Sequence, residues 1–370
     1  MTRLLPDICR IQYGYAFDSA KFSNSEGTPL IRIRDVVRGY SETYTTEECR
    51  VEYIVNDGDI LVGMDGEFNI ACWKGGKAYL NQRVCKLIPT SEVDSLYLYY
   101  FMPKALKAIE DKTPFVTVKH LSAMELNKVV VPMPSMEEQR KIAGSLQKVD
   151  ELIVLRKEQL AALDQLVKSR FIELFGDPVS NSKNLPELTL PELGEFGRGV
   201  SKHRPRNDPK LLGGEYPLIQ TGEVANSELY ITSYENTYSE FGLKQSKMWE
   251  AGTLCITIAA NIAKTAILTF DACFPDSVVG FKANDKTSNI FIHYWFSFFQ
   301  AILEAQAPES AQKNINLKIL SELKIIVPPI EQQNEFVAFV GQTNKSKLAI
   351  QRSLDELETL KKALMQKYFG

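Results

Sequence analysis

Between Gly197 and Lys210 the chain reads Gly-Arg-Gly-Val-Ser-Lys-His-Arg-Pro-Arg-Asn-Asp-Pro-Lys. From Arg198 to Lys210, five Lys/Arg stand against one Asp, a local charge of +4. Glycine and proline make this stretch a loop. Guanidinium, ammonium and imidazole donors on a loop suit phosphate oxygens and base edges, and an arginine can span O6 and N7 of a guanine. Arg198, Lys202, His203, Arg204 and Arg206 are therefore candidate contacts to duplex DNA, with a solvated basic loop as the bland alternative. Ser310–Asn316 is a second polar loop, in which Lys313 and Asn314 suit phosphate and adenine; helix capping is its alternative role. Its counterpart earlier in the chain, Thr113–His120, carries Lys119 and His120. Trp73–Lys77 reads as a hairpin-like turn with Lys74 and Lys77 at a basic tip. Asn81-Gln82-Arg83 follows it, opposite Asp276-Ser277-Val278, and adds Gln82 and Arg83 to the candidates. Trp73 and most of the aromatic residues between Phe291 and Phe299 are read as core.

Chemistry of other kinds is missing. There is no G-x-x-x-x-G-K-[ST], no G-x-G-x-x-G and no G-x-S-x-G. The three histidines, His120, His203 and His293, are not spaced like zinc ligands. The six cysteines form no close pair and read as reduced thiols. Glu322-Leu323-Lys324, with Glu309 upstream, matches the E-x-K pattern of nucleases, but Leu323 continues an apolar pattern. No catalytic residues, metal site or bound cofactor are assigned. A net charge of −3 excludes a global basic field, so any nucleic-acid contact must be local.

The elements that position these residues occur twice. Glu137-Glu138-Gln139 opens a helical pattern that ends at Leu174-Phe175-Gly176, and Glu331-Gln332-Gln333 opens another that ends at Tyr368-Phe369-Gly370, 194 residues later. Before each lies an apolar strand with proline, Lys128–Pro132 and Lys324–Pro328. Steps of four and three pick out Ile142, Leu146, Val149, Ile153, Arg156, Leu160, Leu163, Val167, Arg170 and Leu174. The same frame in the second copy runs Phe336, Val340, Thr343, Lys347, Ile350, Leu354, Leu357, Lys361, Leu364 and Tyr368. These are mainly apolar heptad stripes, and helices of this length project beyond a domain of ordinary size. The expectation is an antiparallel coiled coil that places the variable domains at opposite ends. Leu146, Val149, Ile153, Leu160, Leu163, Val340, Ile350, Leu354, Leu357 and Leu364 are assigned to the helix pair, the surface on which the resemblance given below implies docking of other subunits.

The preceding regions read as mixed α/β. Thr28–Arg34 alternates like a strand, Val55–Gly63 is a turn leading into a buried strand, and Leu96–Ile109 is a helix containing Pro103. Pro217–Gln220, Ala251–Ile256 and Asn289–Leu303 repeat that order. The resulting plan is α+β with a pseudo-two-fold internal repeat: domains over 1–134 and 178–329, and long helices over 135–177 and 330–370. No apolar run reaches the roughly 20 residues of a membrane span, and the first residues lack a signal-peptide pattern. A cytoplasmic location is expected, without membrane contact.

These parts resemble the specificity subunit of type I restriction–modification systems across essentially the whole chain. The resemblance rests on Pro132–Gln139 to Phe175–Pro178, on Pro328–Gln333 to Phe369-Gly370, and on Gly58–Leu61, Asn81–Val84 and Gly252–Leu254. It implies two target recognition domains, each reading half of a split DNA sequence, with the helix pair fixing the gap. It further implies two methyltransferase subunits docked on the helices, and restriction subunits that translocate DNA. S-adenosylmethionine, ATP and Mg would belong to those partners. Gln332 departs from the Glu-Glu-Gln pattern and leaves the equivalence of the two docking sites open. A stand-alone modifying enzyme would require motifs that are missing, and a purely protein-binding scaffold would not require the basic loop.

Overall fold

Two short aliphatic segments form the centres of the two halves. Ile60–Gly63 and Leu254–Thr257 are buried at every position. Each follows a turn with a glycine at positive φ, Gly58 at 90° and Gly252 at 86°, a conformation that costs glycine little. The computed structural model describes residues 1–113, 119–259, 261–306 and 315–370. It divides into two units, Met1–Lys157 with Arg352–Gly370, and Glu158–Gln351.

In the first unit the central strand belongs to an antiparallel sheet ordered Cys9–Tyr13, Val84–Pro89, Ile60–Gly63, Ile70–Cys72. A second sheet is ordered Phe22–Ser23, Tyr44–Thr45, Thr28–Ile31, Ala78–Leu80, Ile54–Val55, with Thr28–Ile31 parallel to Ala78–Leu80. Thr2–Leu4 pairs with Val130–Pro132. The second unit repeats the order: Gly194–Arg198, Val278–Ala283, Leu254–Thr257, Thr265–Leu268, with Tyr230–Ile231 added at the edge. Its other sheet runs Asn236–Tyr238, Leu212–Leu218, Ala272–Cys273, Met248–Trp249, again with one parallel pair, and Glu187–Leu188 pairs with Ile325–Ile326. The duplication is thus one of topology as well as of motif.

Two expectations need correction. Thr28–Arg34 is not one strand: the strand ends at Ile31, and Ile33–Arg38 is a helix. The Asp35 carboxylate accepts the Arg32 N–H at 2.9 Å and caps that turn, a local device that overrides the alternating pattern. Glu223 does the same for Gln220 in the second unit. Trp73–Lys77 is a turn but not a hairpin, because Ile70–Cys72 and Ala78–Leu80 belong to different sheets. Trp73 is buried, and its indole N–H donates to the Gly76 carbonyl at 2.7 Å.

The long helices span Met136–Phe175 and Ile330–Phe369. All twenty residues of the two heptad frames are buried or half-buried. Among those assigned to pairing and docking, Leu146, Val149, Ile153, Val340 and Leu354 are buried. Leu160, Leu163, Ile350, Leu357 and Leu364 are half-buried. The helices run antiparallel within each unit. Asp150 pairs with Lys361 at 2.6 Å and Lys157 with Glu358 at 3.4 Å in the first. Asp164 pairs with Lys347 at 2.7 Å and Arg170 with Glu335 at 2.5 Å in the second.

The repeated Gln of the helix-start motif has a structural job. Gln139 Oε1 accepts the Asp94 N–H at 2.9 Å, and its amide donates to the Pro134 carbonyl at 3.1 Å. Asp94 itself caps the helix Ser95–Lys112, which runs on through Pro103. Gln333 accepts from Thr287 Oγ1 at 3.0 Å and donates to the Lys286 and Pro328 carbonyls. Each glutamine ties the start of a long helix to the start of its domain's own helix. The helix ends dock as well. Phe175 lies among Phe171, Phe291 and Phe336, and Phe369 packs against Tyr97 and Phe101. Burying such rings drives docking by about 1.5–3 kcal/mol each.

Candidate nucleic-acid interface

In the second unit the basic loop leaves the strand Gly194–Arg198 at Gly199. A Cβ on Gly199 would lie 2.2 Å from the Phe274 carbonyl oxygen, so only glycine lets the two backbones meet there. Gln245 Oε1 then accepts the N–H groups of Lys202 at 2.7 Å and His203 at 3.0 Å. Ser246 donates to the Val200 carbonyl at 2.8 Å. His203 Nε2 lies 2.9 Å from Asp208 Oδ2, and its ring meets Phe241 edge-on. The Lys210 N–H and His203 hold the Asp208 carboxyl below the usual range. Arg204 donates to the Ser201 and His203 carbonyls, and both Arg204 and Arg206 pair with Asp276. The loop is therefore built rather than loose, and Asp276 offsets part of its charge.

Lys202 is exposed and forms no ion pair among the described residues. Arg198, also exposed, lines a cavity of about 270 Å³ with Arg206, Asp276, Ser277, Ile315 and Asn316. Asn316 caps the helix Leu317–Glu322 through the Ile319 N–H at 2.9 Å. Lys313, Asn314 and Glu309 lie outside the described residues.

In the first unit the candidates fall into three groups. Arg83, with φ of 70°, places Nη1 3.5 Å from Asp65 Oδ1 and 3.2 Å from His120 Nδ1, while His120 Nδ1 lies 2.5 Å from Asp65. Lys119 is turned inward, donating to the Glu110 carbonyl at 2.9 Å and pairing with its carboxylate. Lys74, Lys77 and Gln82 are exposed. Each unit thus has an aspartate, Asp65 or Asp276, gripping two of the candidate side chains. Sequence reasoning missed both aspartates as positioning groups, although Asp276 had been matched to the Asn81–Arg83 turn. Among the described residues no three His, Cys, Asp or Glu side chains group as metal ligands, and no helix is long and apolar enough to cross a membrane.

A duplicated mixed α/β fold, an antiparallel helix pair and a built basic loop define a two-domain recognition protein. The chain belongs to the family described as type I restriction modification DNA specificity domain, whose model matches residues 1–165 and 187–359. It is 28% identical over 403 residues to the type I restriction enzyme EcoBI specificity subunit of Escherichia coli, covering 99% of this chain and 84% of that protein. The putative MjaX specificity subunit of Methanocaldococcus jannaschii is 22% identical, over 92% of this chain and 85% of its own length. The fold is shared with the crystal structure of a type I system S subunit from M. genitalium, at a TM-score of 0.63 and 15% identity, covering 100% of this chain and 96% of that one. It is also shared with a chain from a structure of type I R-M complex assembly and conformational transition, at 0.60 and 18%, covering 100% and 97%.

Proposed function

We propose that this chain is a non-catalytic specificity subunit of a type I restriction–modification enzyme, each domain reading one half of a split duplex target. The observation that carries the reading is the repeated strand order beside an antiparallel helix pair, with different charged loops at equivalent places. One scaffold with two loop sets suits two half-sites. A domain of this size discriminates a few base pairs at about 1–3 kcal/mol per mismatch, and joining two multiplies the discrimination. The helix pair sets the gap and docks two methyltransferase subunits, to which restriction subunits are added. Exposed Leu152, Leu155 and Leu360, outside the heptad frames in the first unit, support such docking. S-adenosylmethionine, ATP and Mg act on the partners and not on this chain.

Co-expression with the neighbouring methyltransferase subunit, followed by genome-wide mapping of methylated adenine, tests this. A split motif with a fixed gap, lost on deletion of this chain, is the expected result. Methylation independent of the chain, in the presence of a stable complex, refutes the reading.

A further inference from the structure

Backbone pairing locates the first unit's equivalent of the basic loop. Gly14 N–H donates to the Val84 carbonyl at 3.0 Å and Tyr15 N–H to Leu80 at 2.9 Å; Gly199 donates to Val278 at 2.8 Å and Val200 to Phe274 at 3.1 Å. Both glycines sit against backbone, since a Cβ on Gly14 would fall 2.0 Å from the Asn81 carbonyl oxygen, as one on Gly199 would meet Phe274. The segment starting at Tyr15 therefore stands where the basic segment stands in the second unit. Here it is aromatic rather than basic.

The Tyr15 ring meets Phe17 edge-on at 4.9 Å and Tyr53 at 5.4 Å, and Phe17 stacks on Tyr79 at 5.5 Å. The stack holds Tyr15 in place while leaving it 40% exposed. Tyr15 and Tyr53 line a cavity of about 530 Å³ together with Glu48, Cys49 and Arg50. Gln82 adjoins it, its N–H donating to the Tyr15 carbonyl at 2.8 Å. The polar groups here are exposed and lightly engaged. The Arg50 side chain is 82% exposed, and its only ion pair among the described residues is with Glu52 at 3.8 Å. Glu48 and Gln82 are exposed, and neither side chain makes a hydrogen bond or ion pair among the described residues. A donor fork, an acceptor and an amide around a fixed aromatic wall are the groups that distinguish base pairs in a major groove: Arg for guanine, Glu for cytosine N4, Gln for adenine.

We propose that the Tyr15–Tyr53 cavity, with Glu48, Arg50 and Gln82, is where the first domain reads the base edges of its half-site. This rests on the specificity-subunit reading. The experiment uses the full-length chain assembled with its methyltransferase partner, acting on a randomised DNA duplex library, with modified sites sequenced. Arg50→Ala and Glu48→Gln should each weaken preference at one base pair of one half-site by about tenfold, leaving the other half and the gap unchanged. Arg50→Lys should fail to restore that preference, because an ammonium keeps the charge but lacks the planar fork. Melting curves of these surface variants should match the parent. Unchanged preference in every variant, or equal change in both halves, overturns this inference while leaving the specificity role intact. A parent chain that yields no split motif instead overturns the specificity reading itself.

Discussion

Replacing Gln333 by leucine tests the idea that the repeated helix-start motif is a clamp. Gln333 is fully buried and makes three hydrogen bonds, at 3.0 Å with Thr287 Oγ1, 3.0 Å with the Lys286 carbonyl and 2.9 Å with the Pro328 carbonyl. Leucine fills much the same volume, so the change removes bonds without opening a large cavity. Three bonds at a net of about 1 kcal/mol each, with the buried Pro328 carbonyl left without its donor, set the loss near 3 kcal/mol. In a unit of this size that lowers the unfolding midpoint by about 6–12 °C. Gln139 makes two such bonds, so Gln139→Leu should cost about 2 kcal/mol. The neighbouring Gln332 is exposed, and Gln332→Ala is the control. Gln333→Glu keeps the shape but supplies no donor and buries a charge, so it should be at least as damaging as leucine. Calorimetric unfolding of the full chain reads all four variants. If Gln333→Leu melts with Gln332→Ala, the clamp argument is wrong, and the motif is retained for some other reason.

Three further outcomes are expected. Lys202→Ala, Arg204→Ala and Arg206→Ala combined should abolish detectable DNA binding at physiological salt; at low salt, titrations should show a slope shallower by about 0.9 per lost phosphate contact. An unchanged slope would remove the loop from the interface. Inserting one heptad into each long helix adds about 10.5 Å at 1.5 Å per residue, close to three base pairs at about 3.4 Å. The methylated motif should keep both halves and widen its gap, and an unaltered gap would count against the ruler role. His293 accepts or donates at 2.9 Å with Thr265 Oγ1, and desolvation by burial pushes its pKa down to about 4 from 6.5, aided by the Lys347 charge and opposed by Thr265. The unfolded chain then binds the proton first, so stability is full above about pH 6.5 and falls as pH drops toward 4, by at most roughly 3 kcal/mol. His293→Gln should flatten that slope in pH-dependent melts, and an identical slope would show that the histidine does not contribute.

Particular residues show where reading from sequence stops. The heptad frames were legible because a helix obeys a local period, and a face that repeats every 3.5 residues must be covered. The doubled Gln139 and Gln333 were visible as a motif, yet their role was not, since their partners Asp94 and Thr287 lie more than 40 positions away. The strand expected through Arg34 failed because the Asp35 cap is a side-chain hydrogen bond, which hydrophobic alternation does not encode.

The candidate interface divides the same way. Composition alone exposed the loop Arg198–Arg206, since clustered charge needs no fold to be noticed. It could not show that Lys119 turns to Glu110, that Asp276 grips Arg204 and Arg206, or that Tyr15 stands where the basic loop stands. By itself the sequence determined the duplicated plan and the helix pair, because these depend on periodicity and repetition along the chain; the class of partner came from the family resemblance. Only the tertiary structure decided which charges are spent internally and which remain for a ligand. Ion pairing and close backbone approach depend on distances between segments that the chain order leaves undefined.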